Sequence, residues 1–258
     1  MFRTALLLVC LALPATAQEA DVRLLPGWRM ENGNHMAALE IRLDQGWKTY
    51  WRAPGEAGIP PRLDWRGSDN LAAAQIHWPA PMAFRQSGFT TIGYEDAVIL
   101  PIEIAPTRAG APIEVDLSME FGICEEICVP VTVELDGSLP PETVRADARI
   151  RAALARRPLD RADGGVGRVA CEVTPSGRGG RLTATVEMPP QGGVEVAAIE
   201  AGDPGLRVGR TQTARQGDTL IATAEILPPR GQPLALDRGA ITLTVLGTNG
   251  AVQIDGCR

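Results

Sequence analysis

Cys124 and Cys128 bracket three residues in the stretch Phe121-Gly-Ile-Cys124-Glu-Glu-Ile-Cys128-Val-Pro130. Two thiols this close can close a structural disulfide, exchange that bond with another thiol, or ligate a soft metal. The flanking runs say how the pair is held. Ile113, Val115, Leu117, Met119, Phe121 and Ile123 alternate with Glu114, Asp116, Ser118, Glu120 and Gly122, and the alternation resumes from Val129 to Asp136. Period-two patterning predicts two strands, each with one buried and one wet face. Both cysteines take the even, polar register. The expectation is a pair at the open end of a hairpin, facing solvent, where another protein can reach it. Opposed Cα atoms in a hairpin sit about 4.5–5.5 Å apart, within reach of a disulfide.

The chemistry around the pair favours exchange over stapling. A bridge that closes so short a loop adds little constraint to the unfolded chain. Glu120, Glu125 and Glu126 disfavour a thiolate, so the pair reads as a passive partner, opened when an activated cysteine of another protein arrives. No helix pattern follows Cys128, in contrast to a thioredoxin-like C-x-x-C. A metal would need one or two further ligands, and the two histidines, His35 and His77, read as ordinary strand residues. No metal or cofactor is assigned, with Cu(I) on the two thiolates kept as an alternative. Cys171 and Cys257 form the other pairing and read as a structural disulfide that closes nearly the whole second half of the chain.

The elements that position these residues are short strands. The chain has 258 residues, a formal net charge of −6 and no basic cluster with interleaved aromatics, which argues against a nucleic-acid partner. Residues 1–17 read as a secretory signal peptide: Arg3, the apolar run Ala5 to Leu13, and Ala15-Thr16-Ala17 before the cut near Ala17. Cys10 lies inside it. The rest is expected in an exported, periplasmic setting where disulfides persist. Every aromatic residue lies at or before Phe121, a composition step that argues for two cores. The expected organisation is a first domain over 18–137, a linker over 138–167 and a second domain over 168–258. The linker's Glu142–Arg157 stretch, flanked by Pro140-Pro141 and Pro158, reads as a short solvated helix. The fold class expected is all-β, two immunoglobulin-like sandwiches joined by that linker.

Several motifs together carry a resemblance. Gly46-Trp47-Lys48-Thr49-Tyr50-Trp51-Arg52-Ala53-Pro54-Gly55-Glu56-Ala57-Gly58-Ile59-Pro60-Pro61, then Trp78-Pro79-Ala80-Pro81, Ile92-Gly93-Tyr94 and Cys124-x-x-x-Cys128-Val129-Pro130 resemble the N-terminal periplasmic domain of the thiol:disulfide interchange protein DsbD. The likeness is closer to the ScsB branch, linked to suppression of copper sensitivity, whose extra immunoglobulin-like domain the second half also resembles. DsbD itself has a longer spacing between its cysteines. The resemblance implies an electron relay of the protein-disulfide reductase type through Cys124 and Cys128. Its implied partners are thioredoxin-fold periplasmic proteins and a separate DsbD-like or CcdA-like membrane electron donor. It also implies that Cys128 enters the mixed disulfide and Cys124 resolves it. A cap segment, Met82–Phe89, would shield the pair through Phe84 first or Phe89 second, and Tyr50 would line the site. The competing readings are a non-enzymatic envelope binding module with two structural disulfides and a Cu(I)-handling protein.

Overall fold

The computed structural model describes residues 20–86 and 88–257. The signal-peptide reading and Cys10 fall outside the described residues. Ten strands make up the first half: β1 (Ala20–Arg29), β2 (His35–Leu43), β3 (Lys48–Gly55), β4 (Arg62–Asp64), β5 (Leu71–Ile76), β6 (Met82–Gln86), β7 (Phe89–Glu95), β8 (Ala97–Pro106), β9 (Ile113–Cys124) and β10 (Cys128–Leu139). One sheet runs β1-β2-β8-β5. The facing sheet runs β10-β9-β3-β7-β6, with β4 paired to β9. The odd residues of β9 point into the space between them, all buried, alongside Leu39, Ile41, Trp51, Leu100 and Ile102. This is the face that the alternation predicts.

The helix α1 (Ala148–Leu154) follows, shorter than the Glu142–Arg157 stretch suggests. Asp147 caps it, its carboxylate accepting from the Arg149 amide at 2.8 Å. It is not solvated. Ile150 and Ala153 are buried, and Ile150 packs with Leu154 against Leu25, Met36 and Ala38 on the first sheet. Spacing of three and four residues puts those three apolar side chains on one helix face, and the arginines on the others. β10 also continues to Leu139, pairing Ser138 with Glu114, so the ladder runs past the point where the sequence reading starts the linker.

The second half holds β11 (Val169–Ser176), β12 (Gly179–Glu187), β13 (Val196–Glu200), β14 (Arg207–Val208), β15 (Gln212–Gln216), β16 (Thr219–Leu227), β17 (Thr242–Gly247) and β18 (Gly250–Asp255). They form a β11-β12-β16-β14 sheet, with β15 on β16, and a β13-β17-β18 sheet. The architecture is thus two β-sandwiches, and nearly all-β. The β13-β17-β18 sheet is covered on both faces. Ala197, Ile199, Leu243 and Val245 face the second core, while Val196, Ala198, Leu246 and Ala251 pack into the first. Polar contacts line the same junction. Arg52 donates to both carboxylate oxygens of Glu200, at 2.9 and 3.0 Å, and to Gln253 at 2.9 Å.

Candidate functional site

β9 and β10 are in register along their whole length, and Cys124 lies directly opposite Cys128 at the closed end. The two are disulfide-bonded, with Cα atoms 4.1 Å apart. Glu125, Glu126 and Ile127 form an exposed tip.

Register alone would leave the pair wet, and the structure corrects that expectation. The even face of β9 is exposed at Glu114, Asp116 and Glu120, then closes. Gly122 is buried and Cys124 is only 8 % exposed, while Cys128 is half-buried. The cause is β3 and the segment after it. Lys48 pairs with Cys124 in the ladder, so Tyr50, two residues on, shares the face of Cys124 and Gly122. The Tyr50 ring and Ile59 lie over Gly122 so closely that a β-carbon there would stand 2.6 Å from Ile59 Cβ and 3.0 Å from the ring. Only glycine admits that approach. The Gly122 backbone is pinned as well: its N–H donates to the Ile59 carbonyl at 3.3 Å, and its carbonyl accepts from the Thr49 hydroxyl at 2.9 Å.

Tyr50 is the polar contact of the disulfide. Its hydroxyl lies 2.8 Å from Cys128 Sγ. Burial pushes the phenol pKa up, so the proton stays on oxygen. A disulfide sulfur carries no proton, which makes Tyr50 the donor.

The β6–β7 hairpin closes the far side. Lys48 Nζ sits 5.3 Å from the centroid of Phe84, and Phe84 pairs with Thr91 on the face shared with Lys48. The Gln86 amide donates to the Glu125 carbonyl at 3.4 Å, tying the hairpin to the inter-cysteine loop. Phe89 is elsewhere. It is 51 % exposed and lines a groove of about 590 Å³ with Ala53, Val196 and Val208 at the junction with the second sandwich. The structure therefore brings Tyr50 to Cys128 and Phe84 to Lys48, the ladder partner of Cys124, and leaves Phe89 at the groove with the second sandwich. Sequence reasoning missed Lys48, Ile59, Gln86 and the need for glycine at 122. The Gly-Ile-Pro-Pro stretch was visible in the sequence, but nothing local said what it covers.

The histidines have other partners. His35 Nε2 donates to the Pro26 carbonyl at 2.5 Å, and His77 Nε2 lies 3.2 Å from a Glu103 carboxylate oxygen. Cys171 and Cys257 are bonded with Cα atoms 5.6 Å apart, and the bond joins β11 to the segment after β18. That bridge crosses between the two sheets of the second sandwich, with both cysteines buried.

Residues 21–140 match the family described as "Thiol:disulfide interchange protein DsbD, N-terminal". The match spans the first sandwich, which is similar to a DsbD N-terminal domain. Among solved structures, the N-terminal periplasmic domain of ScsB from Proteus mirabilis superposes with a TM-score of 0.71 at 24 % identity, over 96 % of each chain. That likeness extends the shared fold through the second sandwich. The DsbD N-terminal domain of Neisseria meningitidis in the reduced form aligns at a TM-score of 0.24 and 19 % identity, over 41 % of this chain and 82 % of that one, too low to speak to the fold. No curated protein matches the chain. The match supports a place for this domain in the thiol–disulfide exchange family, and the matched residues hold the Cys124–Cys128 disulfide. No helix among the described residues is long and apolar enough to cross a membrane.

Proposed function

We propose that this DsbD-type protein relays electrons in the periplasm through Cys124–Cys128, from a thioredoxin-like reductant to thioredoxin-fold clients. The single observation that carries the reading is the Tyr50 hydroxyl aimed at Cys128 Sγ from within a buried shield. A structural staple has no use for a donor positioned to hold a thiolate.

The two sulfurs take different parts. Cys128 is the more accessible, so the reductant's thiolate attacks Cys128 Sγ and the Cys124–Cys128 bond breaks. Cys124 leaves as a thiolate and takes a proton. The reductant's second thiolate then attacks its own sulfur in the mixed disulfide and releases Cys128 as a thiolate, which Tyr50 receives. Two electrons and one proton have moved to this protein, and Cys128 stays a thiolate. Toward a client the sequence runs in reverse: the Cys128 thiolate attacks the client disulfide, and Cys124 resolves the mixed disulfide. Phe84 and the β6–β7 hairpin are the cap, which must swing aside before a partner docks. The electron donor is a separate DsbD-like or CcdA-like membrane protein. The redox domain spans 18–137 and the second domain 168–258, with Cys171–Cys257 as its structural bridge.

The test is trapping. With Cys124→Ser, mixed disulfides to thioredoxin-fold proteins accumulate through Cys128. With Cys128→Ser they do not. If the bond in the folded parent resists every thioredoxin-type reductant and its potential lies below about −300 mV, the bridge is structural and the protein is a binding module.

A further inference from the structure

The second sandwich grips the segment that shields the disulfide. Arg210, in the turn between β14 and β15, places Nε 2.5 Å from Glu56 Oε1 and donates through Nη2 to the Gly88 carbonyl at 3.0 Å. Those two acceptors belong to different parts of the shield. Gly88 sits at the tip of the β6–β7 hairpin, next to β7. Glu56 opens the segment that runs to Ile59 over Gly122. Glu56 also joins the two parts directly. Its second carboxylate oxygen accepts from the Thr90 amide at 3.0 Å, and its own amide donates to the Thr90 carbonyl at 3.0 Å. Gly58, two residues on, lies so near Tyr50 that a β-carbon there would be 2.6 Å from the ring. A continuous line of contacts thus runs from Arg210 through Glu56 and the Gly58–Ile59 turn to Tyr50, and from Tyr50 to Cys128 Sγ.

We propose that Arg210 is a positioning residue for the redox site. By holding Glu56 and the hairpin tip together, the second sandwich keeps the 55–59 segment seated over Tyr50 and the disulfide. It thereby sets how often the bond is open to an attacking thiolate. This rests on the reading of Cys124–Cys128 as an exchangeable bond. The sandwiches are otherwise joined by the Arg52 contacts and the shared apolar junction. Loss of Arg210 therefore loosens the shield without parting the halves. The Glu56 side chain is 15 % exposed and that of Arg210 is 63 %. An ion pair with one arm in water shifts an equilibrium by about two- to fivefold and is screened by salt.

The experiment is the rate at which dithiothreitol reduces Cys124–Cys128 in the full chain, read by alkylation and mass spectrometry of the Cys124–Cys128 peptide. At low ionic strength Arg210→Ala is reduced about two- to fivefold faster than the parent. Arg210→Lys, which keeps the charge beside Glu56, stays close to the parent. In about 1 M salt, where screening acts within ~3 Å, the ratio of Arg210→Ala to parent falls toward one. A merely structural role for Arg210 would not give a salt-dependent ratio rescued by lysine. Equal rates for Arg210→Ala and parent at low salt overturn the proposal, as does a ratio that salt leaves unchanged. Arg210→Gln serves as the second neutral variant, and unfolding midpoints confirm that each variant is folded. Dithiothreitol needs no docking surface, so these rates read the seating of the shield by themselves. Failure of the exchange reading shows separately, as a bond that thioredoxin-type partners leave intact.

Discussion

Replacing Tyr50 by phenylalanine removes one hydroxyl and keeps the ring over Gly122. Tyr50 is 4 % exposed and its oxygen lies 2.8 Å from Cys128 Sγ, so the lost contact is a shielded one that water does not restore. Once the bond is reduced, this hydroxyl donates to an ionised sulfur, and a hydrogen bond to a charged group contributes about 1.5–3 kcal/mol. Each pKa unit corresponds to about 1.4 kcal/mol. Tyr50→Phe should therefore raise the Cys128 thiol pKa by about 1–2 units. The assay uses a Cys124→Ser background, so that Cys128 titrates alone, and follows thiolate ultraviolet absorbance against pH. Alkylation gives a second readout. The thiolate fraction at neutral pH falls about 10- to 100-fold, while intrinsic nucleophilicity rises with a Brønsted coefficient of about 0.4–0.5. The net expectation is alkylation slower by roughly three- to tenfold. An unmoved Cys128 pKa in the phenylalanine variant would refute the reasoning, because the hydroxyl would then not be holding the thiolate.

Two further outcomes follow from the same contacts. The bridges should differ in their effect on stability: Cys171 and Cys257 are 86 residues apart and Cys124 and Cys128 only 4. On the chain-entropy model, paired serine replacements lower unfolding free energy by about 4–5 kcal/mol at the first pair and about 2 kcal/mol at the second. Denaturant unfolding checks this, and equal losses would contradict it. Stability should also fall on acidification because of His35. Its ring is fully buried, Nε2 donates to Pro26, Nδ1 has no partner, and burial, with Arg29 nearby, pushes its pKa down. The unfolded chain takes a proton below about pH 6.5 that the folded chain refuses. Stability is then level above that pH and drops below it by at most ~1.4 kcal/mol per pH unit. Unfolding midpoints that match at about pH 7.5 and about pH 5 would exclude this.

The parts of the fold legible in the sequence were those held by one ladder. β9 and β10 announced themselves because each buries one face, and a strand with one buried face writes a period of two into its residues. Other strands hid. β3, with Lys48, Tyr50 and Trp51, carries the site yet has no clean alternation, because its neighbours cover both faces in places. β13 and β17 were legible as strands from their short apolar runs, but not that the second core takes one side and the first sandwich the other. The α1 helix was read as solvated because its stretch carries several arginines and only a few large apolar residues. Ile150 and Leu154 on one face were enough to dock it.

The sequence by itself determined that two cysteines face each other across a hairpin end. Side-chain period and loop length are local quantities, and local quantities survive in a single line of residues. It could not determine how open that hairpin end is. Whether Cys124 meets water depends on Tyr50 and Ile59, more than sixty residues upstream, and on Glu56, which a second sandwich grips through Arg210. Burial is a property of what arrives from elsewhere in the chain. The tertiary structure alone decided that a solvent-facing register would become a shielded disulfide with one hydroxyl aimed at its outer sulfur.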